Sequence, residues 1–181
     1  MLRSVIITLC LILAGSLALA ADDGSVTKAV ANIKPSQAAT TRPSNNNITG
    51  TVTFSESGGK VTFVADIDGL SPGKHGFHIH KSSDLSAPDL SSAGGHFNPD
   101  KDTHGGPESP HHHMGDLGNL TADDKGHAHA EGTLPGATLG DGDHSILGKS
   151  VIVHAKEDDL QTDPAGNSGG RMAGGVIEAA K

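Results

Sequence analysis

The 181-residue chain carries 13 Lys and Arg against 21 Asp and Glu, a formal charge of −8, and so acidic a protein makes a poor partner for nucleic acid. It has no Trp or Tyr and only four Phe, so its core must rest on Val, Ile, Leu and Ala. Its 25 Gly and 9 Pro suit an all-β fold with many turns.

Residues 1–20 open with one basic residue, Arg3, followed by the apolar run 5–20 that ends Ala18-Leu19-Ala20. This pattern predicts a secretory signal peptide cut near Ala20/Ala21, and hence export to the periplasm or the extracellular space. A membrane anchor is the competing reading, which the shortness of the run disfavours. Cleavage would remove Cys10, the chain's single cysteine, and losing Arg3 would take the charge from −8 to −9. The exported product, residues 21–181, would have no membrane contact, and its length of about 160 residues suits one domain with a sizeable core.

Residues 26–33, 48–54 and 60–67 alternate or are β-branched and read as strands, with Ser57-Gly58-Gly59 signalling a hairpin. The segment 68–73, Asp-Gly-Leu-Ser-Pro-Gly, turns the chain into a strand over 75–80. Residues 81–115 then form a long loop, which in a compact domain is usually functional. Further strands are predicted at 117–122, 127–134, 150–155 and 172–179, with Asp123-Asp124-Lys125-Gly126 as the turn between the first two.

Most of the 12 histidines fall between His75 and Asp116. In an extended strand Phe77 and Ile79 can enter a core while His78 and His80 emerge together on the other side. Two such imidazoles can meet one ion. His154 ends the β-branched run Val151-Ile152-Val153, a strand able to lie beside the first. A nitrogen-only set of this kind favours Cu(II), whereas His96, His104 and His113 with Asp116 make a mixed nitrogen and oxygen set that suits tetrahedral Zn(II). Taken singly, His-x-His on a strand reads as an exposed polar face, and His111-His112-His113 as a solvated or weakly metal-binding tract. His127 and His129 share a strand face and could chelate, but no third ligand is evident, so they read as exposed.

The joint pattern resembles copper/zinc superoxide dismutase from about Val26 to Ala180. The pieces that carry the likeness are Gly76-Phe77-His78-Ile79-His80, Gly94-Gly95-His96-Phe97-Asn98-Pro99, His104-Gly105-Gly106-Pro107, Gly115-Asp116-Leu117-Gly118-Asn119, Gly142-Asp143-His144, Val153-His154 and Gly166-Asn167-Ser168-Gly169-Gly170-Arg171. The resemblance implies an eight-stranded antiparallel Greek-key barrel or flattened sandwich with long metal-binding loops, a class that comes with the family and is not an independent deduction. It implies copper on His78, His80, His96 and His154, and zinc on His96, His104, His113 and Asp116, with His96 bridging the two. His111 and His112 would be spectators.

The activity implied is dismutation of superoxide to oxygen and hydrogen peroxide, with copper cycling between Cu(II) and Cu(I) and zinc serving structure. His96 would also carry a proton, and Arg171 would guide and hold the anionic substrate, although an ordinary surface arginine is its simpler reading. Asp158 matches a carboxylate that links the ligands of the two metals. His75 and His144 match structural histidines, and a homodimer follows by family analogy. The departure is a missing disulfide: the family's two cysteine positions are Leu90 and Gly174 here, which suggests that Leu90 packs as an apolar plug over Gly174. A non-catalytic copper carrier or storage domain of the same fold is the alternative, and an adhesion module a distant third.

Overall fold

The computed structural model describes residues 25–40 and 47–181; the expected signal peptide lies outside the described residues. Among the described residues eight strands form, as the alternation predicts: β1 Lys28–Pro35, β2 Thr49–Ser57, β3 Lys60–Asp68, β4 Gly73–His80, β5 Asp116–Ala122, β6 Ala128–Leu134, β7 Ser150–His154 and β8 Arg171–Ala179. All pairings are antiparallel, in the order β5-β4-β7-β8-β1-β2-β3-β6. The two end strands, β5 and β6, pack against each other, so the sheet curls into a nearly closed barrel. The only helical pieces among the described residues are α1, Gln37–Thr40, and a 3-10 turn at Ser91–Ala93.

Local chemistry sets these boundaries. β3 alternates exposed and buried residues over its whole length, the period-2 signature of a half-buried strand. Ser57 pairs with Lys60 across a two-residue turn, and Gly58 and Gly59 both take positive φ, 59° and 73°. That is the geometry of a type I′ hairpin, which glycine supplies without a steric penalty.

The interior is filled by aliphatic side chains packed around a short chain of phenylalanines. Phe54, Phe63 and Phe77 follow one another at centroid spacings of 6.5 and 6.0 Å, packed with Ile48, Ile67, Ile79, Leu120, Leu134 and Ile146. Outside the barrel, against β7, lies a second cluster of Leu90, Ala93 and Ile152. It anchors the long loop that follows β4.

Candidate metal centre

On β4, Phe77 and Ile79 enter the barrel core and His78 and His80 leave on the opposite face, as the alternation requires. That face is not open to solvent, however: His78 and His80 are both buried. The loop returns over them, with Phe97 N–H donating to Ile79 O, Ile79 N–H to Gly115 O, and His96 bridged to His80. β7 runs antiparallel beside β4 and delivers His154 to the same face. Register shifts interrupt β4–β5 between Gly76 and His78, and β7–β8 between Val153 and His154. Such bulges re-aim side chains near functional sites, and these two lie beside Asp116 and Arg171.

Two groups of ligand atoms result, each within 4.8 Å: His78, His80, His96 and His154, and His96, His104, His113 and Asp116, all buried. In the first group every outward ring nitrogen is already used. His78 Nε2 donates to Asp158 Oδ2 at 2.7 Å, His80 Nδ1 to Gly94 O at 2.8 Å, and His154 Nδ1 to Gly169 O at 3.2 Å. Those bonds fix the tautomers, so the remaining lone pairs converge, with His80 Nε2 and His154 Nε2 only 3.3 Å apart. Burial is the largest influence on these rings: it holds His78 down to about 4 and His154 to about 3, and pushes His80 well below its ordinary range. They are therefore neutral, as metal ligation demands.

The second group is built around a carboxylate. Asp116 Oδ1 accepts from His96 Nδ1 at 2.7 Å and lies 3.3 Å from His113 Nδ1, while Oδ2 accepts the backbone N–H groups of Gly105 and His113. His104 Nδ1 stands 3.1 Å from Oδ2 without an aligned hydrogen bond. Burial would raise Asp116, but the imidazoles of His104, His113 and His96 set against it outweigh this and hold it far below the usual carboxylate range. Burial would lower His104, yet the Asp116 and Asp158 carboxylates beside its two ring nitrogens raise it to about 10.

Three buried ring nitrogens have no hydrogen-bond partner: His78 Nδ1, His96 Nε2 and His104 Nδ1. Orphaned polar atoms of this kind are costly. All three belong to the two donor groups, and a cation in each would satisfy them. The residues thus fit one metal in an all-nitrogen set and another in a mixed set, with the His96 ring common to both.

Asp158 joins the groups from behind, since its Oδ1 accepts from His104 Nε2 at 2.9 Å while Oδ2 holds His78. Three residues that sequence reasoning gave no role support it. Asn119 clamps the Asp158 backbone, accepting its N–H at 2.8 Å and donating to its carbonyl at 2.9 Å. Asp163 accepts the His104 backbone N–H at 2.7 Å. Gly166, at φ 59°, leaves the space that any side chain would take from Asp158 and His104. The motif Gly115–Asn119 and the glycines before Arg171 were the only sequence signals of this support.

Arg171 is half-buried, and its guanidinium donates to Leu90 O at 2.5 Å and Gly94 O at 2.6 Å. It also lines, with His80, His96, His154, Asn98 and Pro164, a cavity of about 360 Å³ that opens onto the first donor group. The remaining histidines stand apart. His75 bridges His154 O and the Ser71 hydroxyl, while His144 pairs with Asp100, and His111 with Asp102, at the surface. His112 Nδ1 donates to His113 O, and His127 and His129 pair with Asp68 and Asp66.

An antiparallel barrel with two buried donor groups sharing one imidazole defines a two-metal protein. A family model described as copper/zinc superoxide dismutase matches residues 48–177, and the chain belongs to that family. It is 41% identical over 142 residues to an extracellular Cu-Zn superoxide dismutase of Brugia pahangi, covering 74% of this chain and 70% of the relative. To the protein of the same name in Drosophila melanogaster it is 45% identical over 141 residues, 74% and 77% of the two chains. For the Caenorhabditis elegans protein of that name the figures are 42% over 134 residues, 71% and 60%. Among solved structures it is similar to the clock protein EA4, at a TM-score of 0.74 and 36% identity, covering 86% of this chain and 96% of that one.

Proposed function

We propose that the chain is an exported superoxide dismutase in which His78, His80, His96 and His154 hold copper and His96, His104, His113 and Asp116 hold zinc. One observation carries this reading: His96 Nδ1 faces Asp116 while His96 Nε2 has no partner and faces the other three histidines. When bound, copper would supply a one-electron couple that oxidises one superoxide to oxygen and reduces the next, with uptake of two protons, to hydrogen peroxide, whereas zinc has no accessible redox change.

The protein's own groups do the rest. His78, His80 and His154 present neutral lone pairs because burial keeps them unprotonated. His96 Nε2 is the atom at which one proton is held between half-reactions and then given to the reduced substrate, the second proton coming from water in the open cavity. Arg171 stays charged at any working pH and stands at the cavity, where it attracts and holds the anion. With a formal charge of −8, long-range attraction by net charge is excluded, so steering is local and weakens with salt. Asp158 keeps His78 and His104 in the tautomers that face the metals.

Export is supported by the extracellular relatives, and a periplasmic destination is the alternative. Assembly as a homodimer rests on family analogy and is read by sedimentation. A copper carrier would need neither a shared imidazole nor a cation at the cavity mouth. The deciding experiment is superoxide consumption by metal-loaded protein, expected to be fast, abolished by His154→Ala and reduced by Arg171→Ala. Copper binding without turnover would instead establish the carrier.

A further inference from the structure

We propose that His127 and His129 form a third, surface site for a borderline divalent cation, selective for Cu(II) over Zn(II). His129 on β6 stands opposite Asp66 on β3, and His127, the residue before β6, reaches Asp68. Ile67 and Ala128, the residues between, are buried in the core. The four polar side chains therefore share the outer face of the sheet.

Each imidazole is held at one ring nitrogen by a carboxylate of β3. His127 Nδ1 donates to Asp68 Oδ1 at 3.0 Å and His129 Nδ1 to Asp66 Oδ1 at 2.7 Å. A carboxylate on one ring nitrogen fixes the tautomer and leaves the other as a basic lone pair, the arrangement metal-ligating histidines commonly show. The buried centre uses the same device where Asp158 holds His78. It also uses the same spacing, since His127-Ala128-His129 repeats the His-x-His pattern of His78-Ile79-His80.

The surroundings favour a cation. Asp66 and Asp68 stand beside the rings, Glu131 attracts positive charge at His129, and the Asp123 carboxylate caps the turn at the backbone N–H groups of Lys125 and His127. Nitrogen donors backed by carboxylates bind divalent first-row ions with copper uppermost, and suit magnesium or calcium poorly. The His111-His112 pair differs in that only His111 has a carboxylate partner, Asp102, whereas His112 Nδ1 is held by the carbonyl of His113.

The test uses full-length protein with both buried sites loaded, dialysed against Cu(II). One further Cu(II) per chain is expected, with an electron paramagnetic resonance signal split by two imidazole nitrogens. His127→Ala/His129→Ala should remove it without changing the melting temperature, and His111→Ala/His112→Ala should leave it in place. Asp66→Asn/Asp68→Asn should weaken it about 10–100-fold. No additional copper, or additional copper that survives His127→Ala/His129→Ala, overturns the proposal. Loss in His111→Ala/His112→Ala alone overturns it too, and unchanged affinity in Asp66→Asn/Asp68→Asn removes the role given to the carboxylates.

Discussion

Leu90 packs against Gly174: a Cβ built on the glycine would lie 3.3 Å from Leu90 Cδ1 and 2.7 Å from Ile152 Cδ1. The loop after β4 is therefore held to the last strand by an apolar contact. Arg171 reinforces the same point by donating to the Leu90 carbonyl.

Two consequences for stability follow. Reductant should leave the melting temperature unchanged, while a chelator that strips the buried sites should lower it, because metal binding then carries much of the loop's order. Leu90→Ala should cost about 2–5 kcal/mol in denaturant unfolding, the usual range for a buried leucine. A melting temperature indifferent to chelator would refute the account.

The strands were legible because alternation is local. Lys60–Asp68 and Ser150–His154 announce themselves in their own residues, and so does the His-x-His of β4. What covers His78 and His80 was not legible, since it depends on a loop some 20 residues away in sequence folding back over the strand. The Arg171 contacts were equally invisible: they end on the carbonyls of Leu90 and Gly94, and every residue has a carbonyl. Asp163 could not be told from the neighbouring acids Asp158 and Asp159, because its partner is the backbone N–H of His104.

Asp158 touches one ligand of each group, so its loss should be felt at both metals. Asp158→Asn replaces one accepting oxygen with a donor and turns one ring out of its tautomer. Metal affinity should fall about 10–100-fold, read as zinc and copper retained per chain against a competing chelator. Retention equal to the parent's would mean that the carboxylate has no role in ligand orientation.

His104 makes metal uptake pH-dependent in a defined direction. In the metal-free fold its imidazole is raised to about 10 from an ordinary value of 6.5. The stabilisation from its bound proton is complete below about pH 6.5 and is lost as pH rises through about 10. His78 and His154, lowered to about 4 and about 3, act oppositely. The unfolded chain takes up their protons below about 6.5 and the fold refuses them, so stability falls as pH drops from there towards 4. Zinc must displace the His104 proton, so binding at pH 8 should release about one proton per ion. Titration calorimetry in buffers of differing ionisation enthalpy measures it, and zero release would contradict the assignment.

Arg171 has two jobs that substitutions can separate. Its charge faces the cavity, and its two terminal nitrogens span the carbonyls of Leu90 and Gly94, the latter also accepting from His80 Nδ1 at 2.8 Å. Arg171→Lys keeps the charge but lacks the planar fork; Arg171→Ala loses both. Each hydrogen bond to a charged group is worth about 1.5–3 kcal/mol, and a domain of this size loses about 2–4 °C per kcal/mol, so both variants should melt several degrees lower. Their kinetics should diverge: dismutation by Arg171→Lys should keep its decline with added salt, and Arg171→Ala should be slower and largely insensitive to salt. If the two variants show the same rate and the same salt response, the guanidinium acts only by holding the loop, and the anion is guided by another group.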